Sequence, residues 1–337
     1  MLEKTYCFDD VLLIPAYSQI RTRKDVDISV QLSRDLKLNI PIIASPMDTV
    51  SGPKMAIRLN ELGGIAILHR YCTIERQVKM VEEVVSAGRK VGAAVGAVGD
   101  YLERAQSLVE AGVSLLCVDV ANGDHILVEE ALYHLKRVVS NDIHIMTGNV
   151  ATMAGFSHNA SHGANSVRCG VGGGSMCTTR IQTGHGVPTL QTIMWASKAK
   201  RGGTKIVADG GIKTAGDIVK SLAAGADVVM LGSLLAGTDE APGEVLNLDG
   251  RLYKQFRGMA SKEAQTDWRG MANSVEGVTS YSPYKGSVDG VVKGLVDGIR
   301  SGLSYSGVRS IKELQEKARF CQISSAGMAE SKPHGLR

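Results

Sequence analysis

Eight short apolar runs between residues 39 and 233 constrain the fold of this chain more than any other feature. Each run is almost continuously apolar and does not alternate with polar residues, a pattern typical of parallel strands that are covered on both faces. The runs occupy residues 39–47, 63–69, 91–97, 115–122, 143–150, 166–172, 205–211 and 227–233.

The segments between these runs have helical periodicity, most clearly at residues 74–88, 101–112 and 125–140. Eight strand–helix units predict an α/β protein whose strands close into a (β/α)8 TIM barrel with right-handed crossovers. A doubly wound open sheet is the alternative, and the lack of a GxGxxG turn after the first run counts against it. Because barrels of this size form one unit, residues 1–337 are predicted to be a single domain.

Composition narrows the classes of function. The net charge is +4, without a basic block or interleaved aromatic residues, so nucleic acid is not an expected partner. The N-terminus lacks a signal-peptide pattern and no apolar run reaches membrane-spanning length, so we expect a cytoplasmic protein without membrane contact. The six cysteines have no zinc-ligand spacing and indicate no disulfide framework.

Two segments are longer than barrel connections require. Residues 170–188, the Gly-rich loop, follow the sixth run, and residues 235–284 follow the eighth. Both should emerge at the C-terminal face, where barrel active sites lie, and long loops in compact domains are often functional. Residues 1–38 and the tail after Ser306 lie outside the repeat, and we expect them to cap the barrel or contact a neighbouring subunit.

The Gly-rich loop carries the sharpest chemical signal. Its glycines allow the backbone to approach a ligand closely, and Ser175 with neighbouring amides is suited to a phosphate. Cys177 lies in the same loop near Arg180 and expected helix N-termini, which makes it a candidate nucleophile. The alternative is that the loop only binds phosphate and that Cys177 fills space.

Strand ends supply further candidates. A second phosphate-binding element is predicted after the seventh and eighth runs, and it consists of Asp209, Gly210, Gly211, Gly232 and Ser233. The alternative interpretation is that these residues only form two tight turns. In DVANG, Asp119 and Asn122 are suited to ribose or nicotinamide, or simply to capping a helix. Ser45 and Met47 are placed to touch a base, whereas His69 is interpreted as structural.

Taken together, the motifs resemble the family of IMP dehydrogenase and GMP reductase over nearly the whole chain. They are FDDVLLIPAYSQ (8–19), SPMDTV (45–50), GNVAT (148–152), GGGSMCTTR (172–180), ADGGI (208–212), RGMAS (257–261), PYKG (283–286) and SAGMAESKPH (325–334). The resemblance implies a homotetrameric barrel in which Cys177 attacks purine C2, with hydride transfer between C2 and a nicotinamide cofactor.

The resemblance also implies a set of site residues. Cys177, Thr179 and Glu276 would be catalytic. The substrate, a purine nucleoside monophosphate (GMP or IMP), would contact Ser45, Met47, Ser175, Asp209, Gly210, Gly211, Gly232, Ser233, Gly258 and Met259. NADPH, or alternatively NAD, would lie at Asp119, Val120, Ala121, Asn122 and Gly123. Carbonyls of Gly172, Gly174 and Cys177 would surround a potassium ion, completed by the tail of an adjacent subunit.

The direction of the reaction is predicted from four features. No CBS insert separates the second and third strands, DVANG resembles the reductase pattern, and the flap (residues 262–282) lacks the Arg-Tyr pair by which dehydrogenases activate water. Trp268-Arg269 is a poor substitute for that pair, while Glu276 with Thr179 permits either reaction. We therefore favour GMP reductase.

Other features keep alternatives open. FDDVLLIPAYSQ, SPMDTV and the C-terminal motif look more like dehydrogenases, and the glycine triplet 172–174, His185 and Phe256 depart from the family pattern. An IMP dehydrogenase without CBS domains is the first alternative. A non-catalytic purine-nucleotide-binding barrel is the second, although the retention of Cys177, Thr179 and Glu276 argues against it. A deoxy or modified nucleotide is a third.

Overall fold

A computed structural model describes residues 2–333 of the chain. In chain order its strands are β1 (Val11–Leu13), β2 (Val30–Ser33), β3 (Leu36–Leu38), β4 (Ile42–Ala44), β5 (Ile65–Leu68), β6 (Gly92–Val95), β7 (Leu115–Asp119), β8 (His144–Val150), β9 (Ser166–Cys169), β10 (Lys205–Asp209), β11 (Val228–Leu231), β12 (Leu246–Leu248), β13 (Arg251–Arg257), β14 (Thr279–Pro283) and β15 (Phe320–Gln322). His334, the last residue of the C-terminal motif, lies outside the described part.

The α-helices follow in the same numbering. They are α1 (Pro53–Glu61), α2 (Ile74–Ser86), α3 (Tyr101–Glu110), α4 (Ile126–Val138), α5 (Met153–Ser161), α6 (Thr179–Thr183), α7 (Thr189–Ala199), α8 (Ala215–Ala223), α9 (Lys262–Arg269), α10 (Val288–Tyr305), α11 (Ile311–Lys317) and α12 (Ser325–Glu330). Short 3-10 helices cover Phe8–Asp10 and Arg23–Asp25.

Strands β4 to β11 form a closed parallel barrel, which confirms the predicted (β/α)8 fold and excludes the open sheet. Closure is made where β11 pairs with β4, with Val229 opposite Ile42. Each of the eight apolar runs contains one barrel strand, but the strands are shorter than the runs. The run 39–47, for example, yields only β4, because Pro41 has no N–H to donate to a neighbouring strand.

The helices pack outside the barrel as the periodicity predicts. Helix α2 begins where the Thr73 side chain accepts a hydrogen bond from Arg76 N, and it buries Val81 and Val84 against the strands. Burying such an aliphatic side chain stabilises a fold by about 1.5–3 kcal/mol. The buried Arg104 of α3 donates to Gln77 Oε1 of α2 at 2.8 Å, and Gln77 donates to the Ala94 carbonyl of β6 at 2.9 Å.

The segment predicted as one long loop, 235–284, is instead largely regular structure. Strands β12, β13 and β14 form a three-stranded antiparallel sheet, and α9 lies between the last two. The sheet forms because β13 alternates buried Lys254 and Phe256 with more exposed neighbours, a period of two that a partner strand can stabilise. Arg257 N donates to Thr49 Oγ1 at 3.2 Å, which places this sheet at the C-terminal end of β4.

The two ends of the described chain meet outside the barrel repeat. Strand β1 pairs antiparallel with β15, with Leu12 opposite Cys321. The hairpin β2–β3 leads directly into β4 and buries Val30 and Leu38 at the N-terminal end of the barrel, as expected for a cap. Among the helices of residues 2–333, none is both long enough and apolar enough to cross a lipid bilayer.

Candidate active site

The C-terminal ends of the barrel strands open into a cavity of about 470 Å³. The Gly-rich loop, the β11 turn, the end of β13 and the flap complete its walls. Most of the residues named from the sequence line it: Ser45, Met47, Asp119, Val120, Ala121, Gly172, Gly174, Ser175, Cys177, Thr179, Asp209, Gly210, Gly211, Gly232, Ser233, Gly258, Met259 and Glu276. The tertiary fold thus brings both predicted phosphate elements and the candidate nucleophile to one place.

A series of hydrogen bonds joins the thiol to a carboxylate. Cys177 Sγ donates to Thr179 Oγ1 at 3.1 Å, and Thr179 Oγ1 donates to Glu276 Oε2 at 2.7 Å. Thr178 N also donates to the Glu276 carbonyl at 2.8 Å. The Gly-rich loop is therefore bonded to the flap through both backbone and side chains, and a proton can pass between sulfur and carboxylate through one hydroxyl.

Glycines make this close packing possible. A Cβ at Gly277 would lie 3.1 Å from Ser261 N and 3.2 Å from the Met176 carbonyl, so a side chain there would push the flap away from the loop. At Gly170, where φ is +141°, a Cβ would lie 2.0 Å from the Asp209 carbonyl. The Gly-rich loop therefore packs backbone against backbone on the turn that follows β10.

Cys177 differs from the other thiols in its surroundings. Burial raises the pKa of Cys117 to about 12 and also raises the pKa of Cys169, and both side chains are fully buried in barrel strands. Cys177 is only partly buried and lines the cavity. Arg180 does not lie beside it as expected: its Nη2 donates to the Val187 carbonyl at 3.0 Å. The interactions around Cys177 are thus those with Thr179 and the flap.

A buried ion-pair network connects the ends of three strands. Arg168 on β9 donates from Nη1 to Asp119 Oδ1 at 2.5 Å, and from Nη2 and Nε to Asp209 Oδ2 at 2.9 and 3.1 Å. Asn149 Nδ2 donates to the same Asp209 oxygen at 2.9 Å and to the Gly170 carbonyl at 2.8 Å. Sequence reasoning did not single out Arg168 or Asn149, although an Arg inside an apolar strand run is itself a signal of a buried partner.

Part of the predicted cofactor loop lies away from the cavity. Asn122 Oδ1 accepts from Asp124 N at 3.3 Å within a turn, and the helix-capping alternative is wrong for it because His125 caps α4. Gly123 packs on Gly148 and lines a separate small pocket. Asp119, Val120 and Ala121 remain at the cavity. His69 is buried and does not line the cavity, and burial lowers its pKa.

Aromatic and charged contacts hold the flap against the barrel. The Trp268 ring stacks on the Tyr71 ring, with centroids 4.3 Å apart and an interplanar angle of 21°, and the Arg269 guanidinium lies 4.8 Å from the Trp268 centroid. Arg257 Nη2 lies 2.6 Å from Asp48 Oδ2, and its Nη1 lies 2.6 Å from Asp267 Oδ2 of α9. Tyr71 and Arg269 line the cavity, whereas Trp268 does not.

The Ser233 turn is held by the side chain of a lysine. Lys285 of the PYKG motif donates from Nζ to the carbonyls of Ser233 and Ala236, each at 2.7 Å, and burial lowers its pKa. Among residues 2–333, no group of three or more His, Cys, Asp or Glu side chains is arranged to hold a metal ion.

Comparisons with known proteins agree with this geometry. Residues 5–334 match the model of the IMP dehydrogenase / GMP reductase domain. The inosine-5′-monophosphate dehydrogenase of Nitrosopumilus maritimus is 32% identical, with 98% of each chain covered. The GMP reductase of Leishmania major is 34% identical, covering 98% of this chain and 96% of that protein.

A solved structure extends the likeness to three dimensions. A GMP reductase variant from Trypanosoma brucei, crystallised in complex with guanosine 5′-monophosphate, superposes with a TM-score of 0.94 at 32% identity, covering 100% of this chain and 99% of that one. Relatives of both names match at similar identity, so their names do not separate the two activities. The chain belongs to the IMP dehydrogenase / GMP reductase family of oxidoreductases of purine metabolism.

Proposed function

We propose that this protein is an NADPH-dependent GMP reductase. It would convert GMP, NADPH and two protons into IMP, ammonium and NADP⁺ through a covalent adduct between Cys177 Sγ and purine C2. The observation that carries the covalent step is the hydrogen-bonded series from Cys177 through Thr179 to Glu276, which places a carboxylate one hydroxyl away from the nucleophile, and the flap without an Arg-Tyr pair carries the choice of the reductase. Such a series suits the departure of an amine, which requires a proton.

The cavity offers groups for each part of a purine nucleoside monophosphate. Ser175, Gly211, Gly232 and Ser233 would hold the phosphate, and Ser45, Met47, Gly210, Gly258 and Met259 would surround the remainder of the nucleotide. Asp209 would bind the ribose. Its Oδ2 already accepts from Asn149 and Arg168, which leaves Oδ1 to accept hydrogen bonds from sugar hydroxyls.

The chemistry assigned to the chain is a sequence of proton movements around C2. The Cys177 thiol gives its proton through Thr179 to Glu276 as Sγ bonds to C2. Glu276 returns a proton through Thr179 to the amino group, and the C2–N bond breaks to release ammonia. NADPH, when bound at Asp119, Val120 and Ala121, supplies the hydride that becomes the C2–H of IMP. Finally, the C2–S bond breaks and Cys177 leaves as a thiolate.

The Gly-rich loop is also compatible with the potassium ion that the family resemblance implies. Its possible ligands are the carbonyl oxygens of Gly172, Gly174 and Cys177, hard donors of the kind that hard cations prefer. The Gly174 carbonyl accepts from Cys177 N at 3.1 Å and keeps a second lone pair. A bound ion would hold the loop in the shape that presents Cys177. We further propose a homotetramer in which a neighbouring tail completes this site.

We propose that residues 1–337 act as one catalytic domain with residues 262–282 as its flap. The domain would carry no CBS insert, because α2 is the element that connects β5 and β6, where such an insert would lie. The flap supports the reductase direction because the ring of Trp268 is stacked on Tyr71 and is not positioned to activate water. IMP dehydrogenase is the second candidate, because Arg269 and Glu276 of the flap both line the cavity and could take over that role.

One assay separates the two activities. Absorbance at 340 nm is followed with purified protein in potassium buffer, comparing GMP plus NADPH with IMP plus NAD⁺. We expect NADPH oxidation that requires GMP and releases one ammonium per NADPH. Reduction of NAD⁺ that depends on IMP would instead identify a dehydrogenase, and an Arg269→Gln variant would then test its base. Binding of GMP without turnover of either nucleotide would support the non-catalytic alternative.

A further inference from the structure

Arg168 occupies an unusual position between two parts of the cavity. Its guanidinium contacts Asp119, at the end of β7, and Asp209, at the end of β10. Asp119 lies in the region proposed for the cofactor and Asp209 in the region proposed for the ribose of the substrate. Both carboxylates line the cavity, as Arg168 itself does. One side chain therefore touches the protein groups that would hold each of the two ligands.

The environment makes this link rigid. Arg168 is buried, and although burial alone would lower its pKa, the carboxylates of Asp209 and Asp119 raise the pKa well above its ordinary value. Removing one partner of a buried ion pair leaves an uncompensated charge, which is strongly unfavourable. The guanidinium group of Arg168 is planar. Its orientation against the Asp209 carboxylate therefore determines where its hydrogen bond to the Asp119 carboxylate can form.

Neighbouring side chains fix the two carboxylates from the outside. Asn149 donates to Asp209 Oδ2, and Arg70 Nε lies 4.0 Å from Asp119 Oδ2. Neither Asn149 nor Arg70 makes a hydrogen bond to both carboxylates among the described residues, so Arg168 is the side chain that hydrogen-bonds to Asp119 and Asp209 together. Movement of one carboxylate upon ligand binding is therefore transmitted to the other through Arg168.

We propose that Arg168 is a positioning residue that couples nucleotide binding to cofactor binding. The inference rests on the proposed function for the identity of the two ligands. A ribose that hydrogen-bonds to Asp209 Oδ1 restrains Asp209, and through the guanidinium it restrains Asp119 in the orientation that receives the cofactor. Ordering one carboxylate lowers the cost of ordering the other, so each ligand tightens the binding of its partner by the same factor.

The test measures binding and not turnover. GMP and NADP⁺ cannot complete a turnover, and a Cys177→Ala background, carried by every protein in this test, prevents the covalent step, so calorimetric titration gives the dissociation constant of GMP with and without saturating NADP⁺. In this test, wild-type means that background without a further substitution. We expect the wild-type protein to bind GMP at least about fivefold more tightly when NADP⁺ is present, and NADP⁺ to show the reciprocal change. In Arg168→Lys, which keeps the charge but loses the planar fork, this ratio should fall to about one.

A second variant keeps the test possible if Arg168→Lys does not fold. Asp119→Asn keeps the Arg168–Asp209 pair but removes the ion pair on the cofactor side. Because Asp119 is also a proposed cofactor contact, NADP⁺ is first titrated to the concentration that saturates this variant, and the GMP ratio measured at that concentration should fall to about one. The matched control is Arg58→Lys: Arg58 also bridges two carboxylates, Glu61 and Asp289, but lies outside the cavity, so its coupling ratio should equal the wild-type ratio. Circular dichroism and thermal melting verify that each variant is folded.

Two results would overturn the inference: a wild-type ratio of one, or wild-type coupling retained in folded Arg168→Lys or Asp119→Asn. Failure of the proposed function is recognised separately by the 340 nm assay. If that assay identifies a dehydrogenase, XMP and NAD⁺ are the pair that cannot react, and the same ratios decide whether Arg168 couples the sites.

Discussion

Thr179 Oγ1 lies 2.7 Å from Glu276 Oε2, although the two residues are 97 positions apart in the sequence. The first belongs to the Gly-rich loop after β9 and the second to the flap after β13. Their contact exists only when the flap lies against the loop, because no other part of the chain brings Glu276 to Thr179. The proposed proton path therefore depends on the position of the flap against the loop.

Replacing Thr179 by Val should break this path without removing the nucleophile. We expect kcat for GMP to fall by about 10²–10⁴-fold, the usual contribution of a positioned proton-transfer group, with little change in the affinity for GMP. Thr178→Val is the matched control, since Thr178 contacts Glu276 through its backbone N–H and does not line the cavity. Equal losses in the two variants would show that the Thr179 hydroxyl carries no proton.

Replacing Cys177 by Ala should abolish turnover while GMP binding persists, because the covalent step has no other cavity-lining thiol to use. Steady-state kinetics and calorimetric titration of GMP separate these two effects. Cys321→Ala serves as the control: Cys321 is partly exposed, donates to the Leu12 carbonyl and does not line the cavity. Full activity in Cys177→Ala would rule out the adduct at C2.

The stack of Trp268 on Tyr71 should stabilise the closed flap. An aromatic pair contributes about 0.5–1.5 kcal/mol beyond its buried area, so Trp268→Leu should weaken closure by roughly two- to tenfold and lower kcat/KM accordingly. Trp268→Phe, which keeps a ring, should lose less activity than Trp268→Leu.

Fluorescence offers an independent measure of the same contact. The chain has two tryptophans, so in a Trp195→Phe background the emission reports on Trp268 alone. Acrylamide should quench this emission more strongly in a Tyr71→Leu variant, in which the stacking partner is missing. Unchanged quenching would mean that the flap is held by other contacts, such as those of Arg257.

His144 should make the stability of the fold depend on pH. Burial lowers its pKa to about 3 from an ordinary value of 6.5, and its Nε2 lies 2.8 Å from Ser166 Oγ. Between these two pKa values the unfolded chain binds a proton that the folded chain does not. Stability is therefore fully present above pH 6.5 and falls by about 1.4 kcal/mol for each pH unit below it, down to about pH 3.

Urea unfolding at several pH values between 7.5 and 4.5 tests this dependence. His144→Gln should be less stable at pH 7.5 but should show a shallower decline toward acid than the wild-type protein. His134→Gln, at an exposed position of α4, should keep the wild-type slope. An identical slope in His144→Gln would mean that another group is responsible for the acid sensitivity.

The sequence alone was sufficient for the barrel and for most of the residues that line its main cavity. A parallel strand that is buried on both faces has a continuous run of apolar residues, and these runs located all eight barrel strands. The loop containing Cys177 was identifiable because its glycines adjoin a thiol at a strand end. The three-stranded sheet within 246–283 was not identified, because short antiparallel strands depend on partners that are distant in the sequence.

By itself, then, the sequence determined the fold, the family and the loop that presents Cys177, since each follows from local periodicity or a contiguous motif. Only the tertiary structure decided which side chains meet. It joined Thr179 to Glu276, placed Arg168 between Asp119 and Asp209, and turned Asn122 away from the cavity. Those contacts depend on how the barrel closes and on the register of neighbouring strands, and that register is set by the packing of the whole core.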